Sequence, residues 1–276
     1  GKFVWLGHST LLMKTEGLVI MTDPVFNRAS PLPAFSSKSK SNFFNGKPFA
    51  FENPVVINDL PKVDIVIISH DHYDHLDSKA IKDLSDRVDQ FFVPLGVGAH
   101  LERWGVNSKN IKEFDWYNSK DYKNVKFTLA PAQHFSGRGP TNGNSTLWGS
   151  WIVSSEKMKA YFSGDGGYSK TFKELGDQYG PFDIAFIENG AYNVDWSNIH
   201  MFPDEAVQAS IDLKAKVLFP IHWSKFDLSN HPWDEPIIRI TKEADKKNVT
   251  IATPMIGEVF DLSRLPKNPW WEKLRN

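Results

Sequence analysis

The 276-residue chain contains no cysteine. Disulfides are thereby excluded, and so is any metal site built on thiolates. No apolar run reaches the roughly 18 residues that a membrane-spanning helix needs. Neither sign of charge is in excess: 32 Lys and Arg face 33 Asp and Glu, for a net charge of −1. That balance offers no long-range field, and no basic stripe makes up for it, so a nucleic-acid partner is not expected. Methionine is missing from position 1, where Gly1 runs straight into strand-like sequence. The reading leaves room for a removed upstream signal or anchor, and leaves localisation between cytoplasmic and peripheral to a membrane.

What is present is ordinary for a globular protein: 41% hydrophobic and 24% charged residues, in a chain long enough for a full-sized core. Apolar runs rich in β-branched and aromatic residues recur along it: KFVWLG, TLLMKT, LVIMTDP, DIVIISH, FFVPLG, KFTLAP, WGSWIVSS, KAYFSGD, DIAFIEN, KVLFPIHW and VTIATPM. Each ends in a turn-forming or polar residue and reads as a strand. The clearest helix is 203–214, with Pro203 at its first position, Asp204 and Glu205 in its first turn, and Ile211 placed towards the core. Weaker helical patterns cover 76–86, 97–104, 169–178 and 234–246. Many strands with a few helices between them predict two sheets with helices outside. Residues 34–54 carry little periodicity and read as a long loop, and 263–276 as a C-terminal tail.

Histidine is scarce, nine in all, yet three stand with three aspartates in the stretch Ser69–Asp77, SHDHYDHLD, directly after the buried run DIVII. His70 and His72 project to the same side of an extended segment. Asp74 and His75 follow where the chain turns towards a helix. One metal can take the first pair and a neighbouring metal the second. As a solvated loop the stretch would have to bury charge without a partner, which is costly. Other strand ends supply further donors: His134 after KFTLAPAQ, Asp165 after KAYFSG and His222 after KVLFPI. Without thiolates the shell is nitrogen and oxygen, suited to zinc, manganese or iron.

The motif His70-x-His72-x-Asp74-His75, with His134, Asp165 and His222 in that order, resembles the metallo-β-lactamase fold of binuclear zinc hydrolases. The blocks WLGHSTLLMKTEGL, MTDPVF, ISHDHYDHLD, LWGSW, SGDGGY, GPFDIAFIENGAY, HMFPDEAV and IHWSKFDL are similar to the N-acyl-phosphatidylethanolamine-hydrolysing phospholipase D branch and its bacterial relatives. The resemblance spans Lys2 to about residue 240. It implies an α/β fold, a four-layer αββα sandwich over one domain, 1–276, with the site at one edge of the sheets.

The resemblance also implies roles. His70, His72 and His134 would hold one zinc, Asp74, His75 and His222 the other, and Asp165 would bridge them. Two such metals, typically about 3.5–4 Å apart, share a hydroxide that attacks phosphorus or a carbonyl carbon, so Asp74, Asp165 and His200 are the expected catalytic residues. His200 is assigned proton transfer or a grip on a substrate oxygen, with helix capping as the alternative. His8, Asp23, Asp77 and His231 are expected to fix imidazoles or line the mouth. Asp77 could instead be an N-cap, and His100 reads as structural. The chain departs from the branch at two places, both on the substrate side: NVDWSNI lacks basic residues, and Glu188 stands where an apolar residue or proline is expected.

The expected activity is a phosphodiesterase of phospholipase D type, acting on N-acyl-phosphatidylethanolamine or a related phosphodiester. The alternatives are a lactonase resembling L-ascorbate-6-phosphate lactonase and, from another class, a non-catalytic metal-binding scaffold or sensor. Partners would be a small-molecule or lipid substrate and a peripheral membrane contact; the sequence does not fix an oligomer. For that contact the loop offers Phe43, Phe44, Phe49 and Phe51 among Lys38, Lys40 and Lys47. The tail offers Trp270 and Trp271 beside Lys273 and Arg275.

Overall fold

The computed structural model describes residues 1–30, 46–52 and 54–274. The apolar runs form strands β1 (Lys2–Trp5), β2 (Leu11–Thr15), β3 (Leu18–Thr22), β4 (Val63–Ile67) and β5 (Val88–Pro94). After β6 (Ile111–Phe114) and β7 (Ser119–Tyr122) come β8 (Val125–Ala130), β9 (Ser150–Ser154), β10 (Lys159–Phe162), β11 (Ile184–Glu188), β12 (Leu218–Ile221) and β13 (Val259–Asp261). The helices are α1 (Ser78–Leu84), α2 (Gly98–Arg103), α3 (Thr171–Gln178), α4 (Pro203–Asp212) and α5 (Glu235–Lys246). One sheet runs β13-β1-β2-β3-β4-β5-β6 and the other β12-β11-β10-β9-β8-β7.

Period-two alternation decides which way each strand faces. In the first sheet Phe3, Trp5, Leu11, Met13, Ile20, Ile65, Ile67 and Phe92 face the second sheet and form the central core with it. The intervening Met21, Val66, Ile68, Phe91 and Val93 face outwards and are covered by Ala80, Ile81 and Leu84 of α1 and Leu101 of α2. Phe172 and Leu175 of α3, Ala206 and Val207 of α4, and Ile237 and Ile240 of α5 cover the second sheet. The result is the four-layer αββα sandwich, an α/β architecture.

Strand direction places the site. β3, β4, β5 and β6 pair in parallel, as do β10, β11 and β12. Their carboxyl ends therefore emerge at common edges, the position where open α/β sheets collect ligands. The sheets are tied there: Trp151 Nε1 donates to Ile68 O at 2.7 Å, and Gly149 N to Ser69 O at 3.0 Å.

Four expectations need correction. VTIATPM forms no strand; Ile251 and Thr253 make isolated bridges to Leu218 and Lys267. Strands β6, β7 and β13 were not anticipated, because edge strands half-exposed to water carry no clean apolar alternation. Ile211 is 39% exposed, since α4 presents its small residues Ala206, Ala209 and Ser210 inwards and so approaches closely. Trp270 and Trp271 are buried and not offered to a membrane. They pack against Trp223, and Trp270 Nε1 donates to Pro254 O at 3.0 Å.

Of the loop, Phe43, Phe44, Lys38 and Lys40 lie outside the described residues, as does Arg275 of the tail. Phe49 and Phe51 are half-buried, and Phe49 N donates to Lys225 O at 2.8 Å. Among the described residues no helix is long and apolar enough to cross a membrane. Trp270→Ala is expected to destabilise the protein by about 3–5 kcal/mol, the usual cost of truncating a buried tryptophan, while leaving vesicle binding unchanged. Chemical denaturation and a vesicle sedimentation assay check the two halves of that statement.

Candidate metal centre

Every donor sits just past a strand end. His8 follows β1, Asp23 follows β3, and the stretch 69–77 joins β4 to α1. His134 follows β8, Asp165 follows β10, Glu188 ends β11 and His222 follows β12. Three of these residues hold a left-handed backbone, His8 at φ 54°, Asp23 at 32° and His222 at 69°. Such conformations are uncommon outside glycine and persist where surrounding contacts impose them. Here His222 N donates to His8 O at 3.0 Å and His8 N to Trp223 O at 3.2 Å, which pins two loops together. Gly190 permits the same approach, because a Cβ there would lie 1.9 Å from His222 O.

The side chains converge in two halves. In the first, His70 Nε2 and His134 Nε2 lie 2.9 and 3.2 Å from His72 Nδ1. In the second, Asp74 Oδ2 lies 3.1 Å from His8 Nε2, 3.2 Å from His222 Nε2 and 3.5 Å from His75 Nε2. Asp165 Oδ2 stands between, 3.1 Å from both His75 Nε2 and His222 Nε2, 3.9 Å from His70 Nε2 and 4.0 Å from His134 Nε2. Donor atoms of His70, His72 and His134 lie within 4.8 Å of one another. The same holds for His8, Asp74, His75 and His222, and for His70, His75 and Asp165.

Neighbouring groups fix the rings. Asp23, fully buried, accepts from Ser69 N at 2.7 Å and Ser69 Oγ at 2.6 Å, and pairs with His75 Nδ1 at 2.6 Å. Ser69 Oγ also meets His70 Nδ1 at 2.9 Å, and His134 Nδ1 lies 3.1 Å from Ile199 O. Each of these three rings is thereby held by Nδ1, with Nε2 turned into the cluster. Asp77 does not join them. It caps α1 by accepting from Lys79 N and Ala80 N, and its other oxygen accepts from Phe26 N and Asn27 N, so it fastens the loop after β3. His231 stacks on Tyr192 and lines a small cavity of about 20 Å³ with His8 and His222. His100 stays outside but reaches the motif through buried Asp71, at 3.3 Å.

Electrostatics show what the cluster accepts. Burial pushes the His70, His72 and His134 imidazoles down, so each favours its neutral, ligating form. His8 falls to about 3, by burial first and the nearby His222 second. Burial would raise the Asp165 and Asp74 carboxyls, yet His222 and His75 hold both well below the usual carboxylate range. Against burial, Asp165 and Asp74 in turn lift His75 well above its ordinary value, and Asp165 lifts His222 to about 10. The buried carboxylates thus demand positive charge in their midst. Among the described residues Asp165 Oδ1 is buried without a hydrogen-bond partner, and three imidazole nitrogens face one another in the first half. A divalent cation answers all three observations, and the all-nitrogen-and-oxygen donor set fits zinc, manganese or iron.

Three contributors escaped the sequence reading. Ser69 looked like part of a strand. Arg138 closes the motif from outside: its Nη1 donates to Asp71 O at 2.6 Å and Leu76 O at 2.8 Å, and its guanidinium lies 4.0 Å from the Tyr73 ring centre. Glu188, assigned to the substrate side, is fully buried. Its Oε2 lies 3.2 Å from His200 Nδ1, and its Oε1 accepts from Met201 N at 2.6 Å. His200 packs between the His134 and His222 rings, at 5.5 and 5.3 Å. It does not cap α4, whose first turn is closed by the Glu205 carboxylate accepting from Phe202 N. A charged residue ending an otherwise apolar strand was the one visible signal for Glu188.

A sequence profile described as the beta-lactamase superfamily domain matches residues 19–223. An uncharacterized protein of Mycobacterium tuberculosis is 42% identical over 97% of this chain and 70% of its own length. The N-acyl-phosphatidylethanolamine-hydrolyzing phospholipase D 1 of Caenorhabditis elegans is 32% identical over 94% of this chain and 75% of its own. Among solved structures, a metallo hydrolase of the archaeon Ignicoccus hospitalis superposes with a TM-score of 0.68 at 19% identity, covering 94% and 98% of the two chains. At that identity the likeness concerns the fold alone.

Asp23→Ala should weaken metal binding by about 10–100-fold, the range for losing a group that orients a ligand, without altering the stoichiometry at saturation. Competitive titration against a chelator measures the first effect and elemental analysis the second.

Proposed function

Because this chain belongs to the beta-lactamase superfamily, as a metal-dependent hydrolase similar to N-acyl-phosphatidylethanolamine-hydrolysing phospholipase D, we propose that it is a binuclear zinc phosphodiesterase acting on an N-acylated phospholipid or a related diester. The observation that carries the binuclear part is the position of Asp165 Oδ2, within 4.0 Å of imidazole nitrogens from both halves of the cluster. One carboxylate oxygen in reach of both donor sets is what a bridging ligand requires. The diester part is supported by the similarity to the Caenorhabditis elegans enzyme.

On this reading His70, His72 and His134 would hold one ion, Asp74, His75 and His222 the other, and Asp165 would serve both. When bound, the ions supply a nucleophile ionised at neutral pH and positive charge for the transition state. The chain does the rest. Asp23 and Ser69 keep His75 and His70 turned inwards, and Ile199 O does the same for His134. His8, against Asp74 and with its ring centre 4.1 Å from that of His222, fixes the second half. His200, still 13% exposed, takes a proton at Nε2 from the attacking hydroxyl and passes it to the departing alkoxide oxygen. The single domain, a cytoplasmic or membrane-peripheral location and a membrane contact through the segment around Lys47, Phe49 and Phe51 belong to the same proposal.

Metal-reconstituted protein should contain about two zinc ions per chain, as a binuclear site requires. A stable stoichiometry of one, unaltered by Asp165→Ala, overturns the bridging role. Offered in parallel, an N-acylated phospholipid and a simple phosphodiester should be turned over and a lactone should not; hydrolysis of the lactone alone would transfer the chain to the lactonase reading.

His200→Ala should keep the metal content and the fold while lowering turnover by about 10²–10⁴, the range for losing a general acid or base. Unchanged turnover in steady-state kinetics removes His200 from the chemistry.

A further inference from the structure

Glu188 is the charged residue that the strand pattern does not explain. It ends β11, in register with Ile221 of β12, and its own N–H donates to Ser163 Oγ at 3.0 Å. The side chain has no exposure, so both oxygens need partners from the protein. Oε1 takes the Met201 N–H at 2.6 Å, and Oε2 meets His200 Nδ1 at 3.2 Å. The preceding residue is tied as well, since Ile199 O receives His134 Nδ1 at 3.1 Å. The segment 199–201 is thus clamped between a ring of the cluster on one side and Glu188 on the other. Asp165, His200, His222 and Glu188 also have donor atoms within 4.8 Å of one another, which raises the question of whether Glu188 is itself a ligand. Its two oxygens answer it: Oε1 is taken by the Met201 N–H and Oε2 lies against His200 Nδ1.

We propose that Glu188 is a positioning residue that holds His200 in the tautomer protonated at Nδ1 and oriented towards the cluster, leaving Nε2 as the nitrogen that faces substrate. Met201 N is an obligate donor, so Oε1 must accept. A carboxylate then accepts at Oε2 also, and the ring must offer Nδ1–H. A carboxamide of the same shape cannot do this. With its oxygen on Met201 N, its NH₂ points at His200 Nδ1 and forces the proton to Nε2. The same logic, an acidic residue setting which imidazole nitrogen is free, governs the aspartate of serine-protease triads. This inference rests on the reading of His200 as the proton-transferring group.

The test compares the zinc-loaded wild-type protein with Glu188→Gln, His200→Ala and the double variant. Long-range proton–nitrogen correlation on histidine-labelled protein reads the tautomer directly. His200 is expected as Nδ1–H in the wild type and Nε2–H in Glu188→Gln, with two ions bound in both. On a phosphodiester, kcat should fall by about 10²–10⁴ with KM little changed, and Glu188→Gln should cost nothing further in the His200→Ala background. Four results overturn the inference: Nε2–H in the wild type, which would place the proton on the carboxyl; an unaltered tautomer in Glu188→Gln; loss of an ion in that variant, which would make Glu188 a ligand; or losses that add in the double variant. If Glu188→Gln does not fold, the wild-type spectrum alone decides. If no offered diester is hydrolysed, the substrate assignment falls while the tautomer still decides the role of Glu188.

Discussion

Asp165 sets the terms for the rest of the molecule. Its carboxylate is buried, with one oxygen 3.1 Å from two imidazole nitrogens and its other oxygen unpartnered among the described residues. Isolated, such a charge would be too costly to hold, and the fold pays by surrounding it with groups that carry or recruit positive charge. Seven elements deliver those groups, each at a strand end, which is possible only because the parallel strands of both sheets finish at the same edge of the sandwich. Residues that would each be a liability alone become a cation-binding cluster together.

Rigidity around that cluster comes from bonds between loops more than from the strands. Asp23 links the end of β3 to the end of β4, Asp77 links the loop after β3 to α1, and Arg138 clasps both ends of the motif through Asp71 O and Leu76 O. Lys225 adds another tie, with its buried ammonium donating to Leu6 O and Val25 O; burial lowers it to about 8. These contacts leave donor rings little freedom, and ordering them in advance avoids an entropic cost when a metal or substrate arrives. Glu188 extends the same arrangement to His200, outside the ligand set.

The membrane reading of the tail shows how composition misleads when geometry is missing. Two adjacent tryptophans beside basic residues suit a lipid boundary as well as they suit a surface groove, and the same side chains serve either use. What decided between them was Trp223, distant in sequence, whose ring offers a stacking face to Trp270 at 5.5 Å. Ile211 makes the same point within one helix: periodicity located the apolar stripe, but the neighbour's distance chose which part of it was covered.

The sequence by itself determined the core and the donors. Alternation and β-branched runs specify ten of the strands through local sterics and burial, and the sequence His70-x-His72-x-Asp74-His75 after a buried strand announces a metal site because so much ionisable chemistry has no other reason to be there. His134, Asp165 and His222 were legible for the same reason, as polar residues where apolar runs stop. The tertiary structure alone decided the partners. That Asp23 serves His75 and Asp77 also fastens Phe26 and Asn27, that Glu188 belongs to His200, and that Arg138 belongs to the motif all depend on contacts between segments 12 to 67 residues apart. Hydrogen bonds act over about 3 Å and carry no trace in local sequence pattern, so these pairings exist only once the sheets have brought the loops together.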